Sequence, residues 1–232
     1  MKRSEINKIL LSADEFIRGH GFFLPPFAYW TPQAWKTKGP EVAEIVKNRL
    51  GWDITDFGSG DFERVGLFLF TVRNGNPENL KTLQGKLYAE KIMVVRIGQV
   101  TPMHFHWNKS EDIINRGGGD LVIQLYNATS EDGLGASDVI VSVDGEKRTL
   151  PKGSLVTLKP GESITLPPRL YHKFWGEGGW VLVGEVSVVN DDEKDNRFLE
   201  PGGRFPEIEE DEAPVYLLCM DYEQYYRGQS EA

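Results

Sequence analysis

From Trp52 onward the chain is a succession of short apolar runs separated by turn formers, and this punctuation restricts the fold more than any other feature. Residues 66–72 carry the bulky run Leu67, Phe68, Leu69 and Phe70. Residues 86–98 place Met93, Val95 and Ile97 on one face, as the two-residue period of a strand requires. Further strands are expected at 120–126, 138–143, 147–150, 155–158, 163–166 and 180–188. Asp144-Gly145 is a hairpin turn between two of them. Such a series predicts a mainly β fold, a sandwich or an antiparallel barrel. No dinucleotide or phosphate-loop glycine pattern and no solenoid repeat is present.

The first 51 residues follow a different period. Ile6, Ile9, Leu10, Ala13, Phe16 and Ile17 form one apolar stripe, which predicts a helix over 4–18 with Ser4 as N-cap and Gly19 and Gly21 as stops. His20 closes that helix in a capping or packing role. Pro25-Pro26 predicts an extended path through FFLPPFAYW, and Thr31-Pro32 opens a short helix with Thr31 as its cap. Another helix is expected from Pro40 to Leu50. The expected organisation is one structural domain: an N-terminal helical segment over 1–51 packed on a barrel over 52–222, with a frayed end at 223–232. Residues 190–213 are acidic and rich in turn formers, and an apolar strand is expected after them at 215–220. A long loop bracketed in this way is often a lid or binding loop.

The formal net charge of −9 argues against a nucleic-acid partner. The N-terminal stretch does not read as a signal peptide, and no run approaches the ~18–20 apolar residues of a membrane span. Cys219 is the only cysteine, so no internal disulfide forms. These features predict a cytoplasmic protein, and a homodimer pairing through sheet edges is expected.

The chemistry concentrates in residues 98–118, GQVTPMHFHWNKSEDIINRGG. His104 and His106 are two residues apart, so on a strand both imidazoles face one way and can grip one ion. Glu111 follows at a distance from which a turn can deliver a third donor. A second stretch holds Gly161, Pro167 and His172.

The spacing Gly98-x5-His104-x-His106-x4-Glu111-x6-Gly118 resembles the first motif of the cupin superfamily, and Gly161, Pro167 and His172 resemble its second. Arg169 stands where that second motif has Gly, and Gly176 where it has Asn. The resemblance implies an antiparallel jelly-roll β-barrel, here carrying N-terminal helices, and a metal held by His104, His106, Glu111 and His172. Three neutral imidazoles and a carboxylate suit a divalent ion, Mn(II) first, with Co, Fe, Ni or Zn also compatible.

Four stretches are similar to the D-lyxose isomerases, a cupin family of sugar ketol-isomerases: MKRSEIN, EKIMVVRIGQVTPMHFHWNKSEDIINRGGG, LPPRLYHKFWGEGG, and the tail NDDEKDNRF with GRFPEIEEDE. The resemblance implies conversion of D-lyxose to D-xylulose through a cis-enediol, with the metal holding O1 and O2. D-Mannose to D-fructose is a second reaction of the same chemistry. Proton transfer needs further groups. Lys109, beside the metal stretch, and Glu207, in the late loop, are the expected catalytic pair, with Glu185 as a rival base. Lys91, Glu185, Arg204 and Trp175 are the expected sugar contacts. An Fe(II)-dependent cupin dioxygenase and a non-catalytic, metal-anchored sugar-binding barrel remain alternatives at this point.

Overall fold

The structure is a computed structural model and describes residues 1–203 and 206–228. Its strands are β1 (Gly51–Thr55), β2 (Leu67–Arg73), β3 (Tyr88–Val95), β4 (Thr101–His106), β5 (Glu111–Asn127), β6 (Val139–Val143), β7 (Glu146–Leu150), β8 (Leu155–Leu158), β9 (Ser163–Leu166), β10 (Leu170–Val188) and β11 (Asn196–Phe198). All pair antiparallel in one continuous sheet that curls into a jelly-roll barrel. The long strands β5 and β10 run through both halves of the barrel. The first half of β10 pairs with β4, which carries β11 on its other edge, while the second half pairs with β3, which carries β2 and β1. Strand β5 pairs with β10 along most of its length, and with β9 and β8 on its other side.

Sequence expectation and structure agree closely at 155–158 and 163–166, where alternation is strict and turns flank both strands. The two long strands were underestimated. Glu111 is the first residue of β5 rather than part of a turn, and β10 begins at Leu170 rather than near Trp180. Glycines hid both continuations, because a Gly run normally weakens a strand. Here glycine is required where the ribbon bends. Gly118 has φ +94°, and a Cβ on it would lie 2.1 Å from the carbonyl oxygen of Trp180. At this bend β10 gains one residue over β5. Phe174 faces Ile123 and Glu185 faces Ile113, so eleven steps on β10 match ten on β5. The bend thus lets His172 and Phe174 on one side, and Val181, Val183 and Glu185 on the other, all point into the barrel.

The interior is packed by Leu69, Met93, Val95, Ile113, Ile123, Leu125, Phe174 and Val183 among others. The opposite face of β1–β3 is also apolar, with Trp52, Ile54, Phe68, Phe70, Ile92 and Val94. That second face is covered by α1 (Arg3–Gly19) through Ile6, Ile9, Leu10, Ala13 and Ile17. Burial on both faces explains why residues 67–70 read Leu-Phe-Leu-Phe without alternation. Each buried aliphatic side chain on α1 contributes about 1.5–3 kcal/mol relative to exposure.

Helix α1 does not use Ser4 as its cap. The helix starts at Arg3, and the carboxylate of Asp211 accepts from the Ser4 N–H at 2.9 Å and the Ser4 hydroxyl at 2.7 Å. Arg3, 1% exposed, donates to Asp221 (3.0 and 2.8 Å) and Glu210 (2.8 and 2.6 Å). The late acidic segment therefore docks on the helix N-terminus, where carboxylates are favoured.

Pro26–Tyr29 form a 3-10 turn rather than an extended path, because Pro26 suits a first helical position. As expected, Thr31 caps α2 (Pro32–Trp35), accepting from Ala34 at 3.2 Å. Then come α3 (Ala43–Lys47), α4 (Pro77–Thr82) and α5 (Tyr222–Tyr225). The strand expected at 215–220 is not one: it makes a single bridge, Leu218 to Trp52, and turns into a 3-10 helix at Cys219–Asp221. Tyr222 and Tyr226 are buried beside Trp35, so packing persists into the stretch expected to fray.

Candidate metal centre and active site

His104 and His106 share the inner face of β4, and His172 faces His104 across the β4–β10 pair. All three are buried, and the ring nitrogens they offer lie within 4.8 Å of one another. Each Nδ1 is placed on a backbone carbonyl: His104 on Pro102 at 2.8 Å, His106 on Asp195 at 3.1 Å, His172 on Leu170 at 3.0 Å. A carbonyl only accepts, so Nδ1 carries the hydrogen and Nε2 presents a lone pair inward. Burial first, then the neighbouring imidazoles, push the His104 pKa well below the usual histidine value. Burial first, then Lys109, also lower the pKa of His106. Both rings are therefore neutral, as metal ligands must be.

Glu111 completes the cluster. Its Oε1 lies 3.3 Å from His106 Nε2 and 3.2 Å from His172 Nε2, and its Oε2 lies 2.6 Å from Lys109 Nζ. Among the described residues neither oxygen has a partner in hydrogen-bond geometry, although both are buried. Burial raises the Glu111 pKa, but Lys109, His106 and His172 together outweigh it and leave the carboxyl well below its usual range. Three lone pairs and an anionic oxygen converging without hydrogens between them repel one another unless a cation lies among them. The donor set thus fits a divalent ion.

Beside the cluster runs a chain of alternating charge. Lys109 Nζ is 2.9 Å from Glu185 Oε1, and Lys91 Nζ is 3.6 Å from the same oxygen. The Glu185–Lys91 juxtaposition follows from register, since the two residues pair directly between β10 and β3. Asn190 Oδ1 accepts from Lys91 at 2.8 Å and from Lys109 at 3.3 Å. Burial opposes charging of Lys109, but Glu111 and Glu185 overcome it and hold its pKa above the usual lysine value. Lys109 is thus a cation that can donate a proton, not a base. Its backbone N–H and that of Asn108 both donate to the Asp195 carboxylate, and the backbone carbonyl of Asp195 orients His106. Sequence reasoning missed Asp195, because a single acid within NDDEKDN looks like the rest of a solvated run.

These groups line one cavity in the barrel interior. Its other walls are mostly apolar, with Phe57, Leu67, Leu69, Met93 and Phe174, and carry Thr101, Asp192 and Asn196 as further polar groups. Strand β11 closes one side with Asn196 and with Phe198, whose ring stacks 5.3 Å from His104. The start of the acidic loop therefore does border the site, as a binding loop would.

Two expected site residues lie elsewhere. Glu207 is exposed, its carbonyl oxygen accepts from the Met1 amino group at 2.8 Å, and its segment is fixed to α1 rather than to the barrel mouth. Trp175 faces the opposite side of β10 from His172 and Phe174, and its indole donates to Glu177 at 2.9 Å. Arg204 lies outside the described residues. Lys91, Lys109 and Glu185 are brought together with the histidine cluster in one cavity.

Fold and site together define a cupin-type barrel with a buried histidine cluster able to hold a metal ion. Solved barrels of similar shape are L-ribose isomerases. That of Cellulomonas parahominis with L-ribose has a TM-score of 0.59 at 20% identity, over 90% of this chain and 98% of that one. That of Geodermatophilus obscurus has a TM-score of 0.60 at 16% identity, with the same coverage. These likenesses are of fold. In sequence the chain is 52% identical over 225 residues to a D-lyxose/D-mannose isomerase of Serratia proteamaculans, covering 96% of this chain and 98% of that protein. It is 50% identical over 228 residues to a protein of the same name from Escherichia coli O157:H7, covering 97% and 100%. The family model for D-lyxose isomerase matches residues 1–222, and the chain belongs to that family.

Proposed function

We propose that this chain is a divalent-metal-dependent aldose–ketose isomerase interconverting D-lyxose and D-xylulose, and D-mannose and D-fructose. One observation carries the reading: a metal-type donor cluster and an ammonium–carboxylate relay meet in a single cavity. The names of the two relatives, D-lyxose/D-mannose isomerase, support the choice of sugars.

In this reading His104, His106, His172 and Glu111 hold the ion. Mn(II) is the first candidate, and the donors equally accept Co, Fe, Ni or Zn. A bound divalent ion supplies Lewis acidity toward the two vicinal oxygens of an open-chain sugar. Glu185 is the base. Among the described residues its polar contacts, to Lys109, Lys91 and Ser187, fall on Oε1, which leaves Oε2 for substrate. It removes the proton from C2, giving the cis-enediol, and returns it to C1. Lys109 gives a proton to O1 and regains one from O2, so the sugar's atoms and charge balance. Lys91 holds Glu185 in place from the far side. An oxygenase or a non-catalytic binding barrel would leave this buried relay without a task.

The test is to strip the metal, reload with Mn(II) under anaerobic conditions, and assay ketose from D-lyxose. Ketose formation restored by the ion is expected. No ketose with any divalent ion would overturn the proposal, and oxygen uptake with Fe(II) would redirect it to an oxygenase. A cytoplasmic homodimer belongs to the same proposal, with sedimentation of the purified chain as its check.

A further inference from the structure

Thr101 is a buried polar residue with no assigned task. It is 2% exposed, it lines the active-site cavity, and its Oγ1 is buried without a hydrogen-bond partner among the described residues. Valine would fill the same space on a strand without leaving a hydroxyl unpaired, and an unpaired buried hydroxyl is disfavoured. A break in strand register aims Thr101 inward. His172 pairs with His104 and Phe174 with Thr101, so two steps on β10 match three on β4. Without that extra residue, Thr101 would stand on the opposite face from His104. Bulges of this kind commonly re-aim a side chain beside an active site.

Along β4, Thr101 is at the end away from His106 and Lys109. The proton relay lies past the histidines in one direction, and Thr101 lies past them in the other. Its neighbours there include Phe174, its partner across the β4–β10 pair. Resting on the isomerase reading, we propose that Thr101 recognises a hydroxyl of the sugar tail, distal to the reacting C1 and C2. Its hydroxyl both donates and accepts, so it pairs with an alcohol in either sense. An apolar wall with one such group selects a neutral, hydroxylated tail, and a site built to bond a hydroxyl discriminates against an analogue lacking it.

The test compares the metal-loaded wild-type chain, Thr101→Val and Thr101→Ser on D-lyxose and on its 4-deoxy and 5-deoxy analogues. The wild type is expected to lose about 5- to 10-fold in kcat/KM on one of the analogues. Thr101→Val should show that same loss on D-lyxose, mostly in KM, and no further loss on that analogue. Thr101→Ser should stay close to wild type. The apo form of Thr101→Val should melt no lower than wild type, because it removes an unpaired hydroxyl. Sugar affinity is also read by titration calorimetry, so the comparison stands even where the wild-type chain forms no ketose. That outcome would count against the isomerase reading alone. Equal affinity of Thr101→Val and wild type for D-lyxose, or losses that simply add on both analogues, would overturn the role of Thr101.

Discussion

Exchanging Glu185 for Gln separates the two candidate bases. The amide keeps the size of the carboxylate, and its oxygen can still accept from Lys109 at 2.9 Å and from Ser187 at 3.2 Å. Lys109 retains Glu111 at 2.6 Å, and Lys91 retains Asn190 at 2.8 Å and Asp192 at 3.4 Å. The neighbouring cations thus keep partners, and the folding cost should stay near about 1–3 kcal/mol. The four ion-binding side chains are untouched, so metal content should remain at the wild-type level. What is lost is a base, and general-base catalysis is worth roughly 10²–10⁴ in rate, or about 3–5 kcal/mol of barrier. Turnover of D-lyxose by the Mn(II)-loaded variant should fall by that factor. Incorporation of solvent deuterium into the sugar, followed by NMR, should fall with it. Glu207→Gln, altering an exposed carboxylate on the α1-docked segment, should leave turnover within about twofold of wild type. Near-normal turnover with normal deuterium incorporation in Glu185→Gln would refute the assignment. A large loss in Glu207→Gln would refute the reading of its position.

His172→Ala should abolish metal retention on dialysis, and added Mn(II), which should raise the wild-type Tm, should no longer do so; the stabilisation at stake is about 2.7 kcal/mol at a hundredfold excess over Kd. Arg3→Met leaves the Asp221 carboxylate, 4% exposed, with the Leu218 N–H at 2.8 Å as its one remaining hydrogen-bond donor among the described residues. It should destabilise by about 3–5 kcal/mol and lower Tm by roughly 6–20 °C, and a shift under about 2 °C in a melting scan would contradict this. Burial first and the hydrogen bond to Asp14 second push the Tyr29 pKa up to about 12. The folded state then holds that proton more tightly than the unfolded chain, so its contribution is complete below about pH 10 and is lost as pH rises from there through about 12. In chemical denaturation between pH 9 and 12, on the order of that window, Tyr29→Phe should show a shallower fall in stability than wild type.

The histidine pair was legible because a two-residue period on a strand fixes which side chains are neighbours, and that rule is local. The N-terminal helix was legible for the same reason, through its apolar stripe. The proton relay was only half legible. Lys109 is adjacent to the metal stretch in sequence, but Glu185 reaches it only through the register of β10 against β3, a non-local fact. Glu207 is the sequence's choice because it lies within the lid-like loop at 190–213, in a stretch that resembles the D-lyxose isomerases. Nothing in the composition of that segment says that its acids bind Arg3 and Ser4, some two hundred residues earlier. Thr101 was invisible, because the alternation rule places it on the wrong face and only the register break corrects this. Period-two reasoning fails where a strand carries an extra residue, and this barrel puts such irregularities on both strands that carry its histidines.

The bend in β10 bears on what this family can tolerate in evolution. Glu177 and Gly178 are exposed there, and exposed tips ordinarily accept insertions and deletions freely. In this chain the stretch acts as a spacer of fixed parity between His172 and Glu185. Losing or gaining a single residue would turn one of the two outward while leaving both strands able to pair. A change of two residues would keep both inward. Length variation here should therefore come in even steps, because an odd step would part the His172 imidazole from the Glu185 carboxylate that shares its cavity.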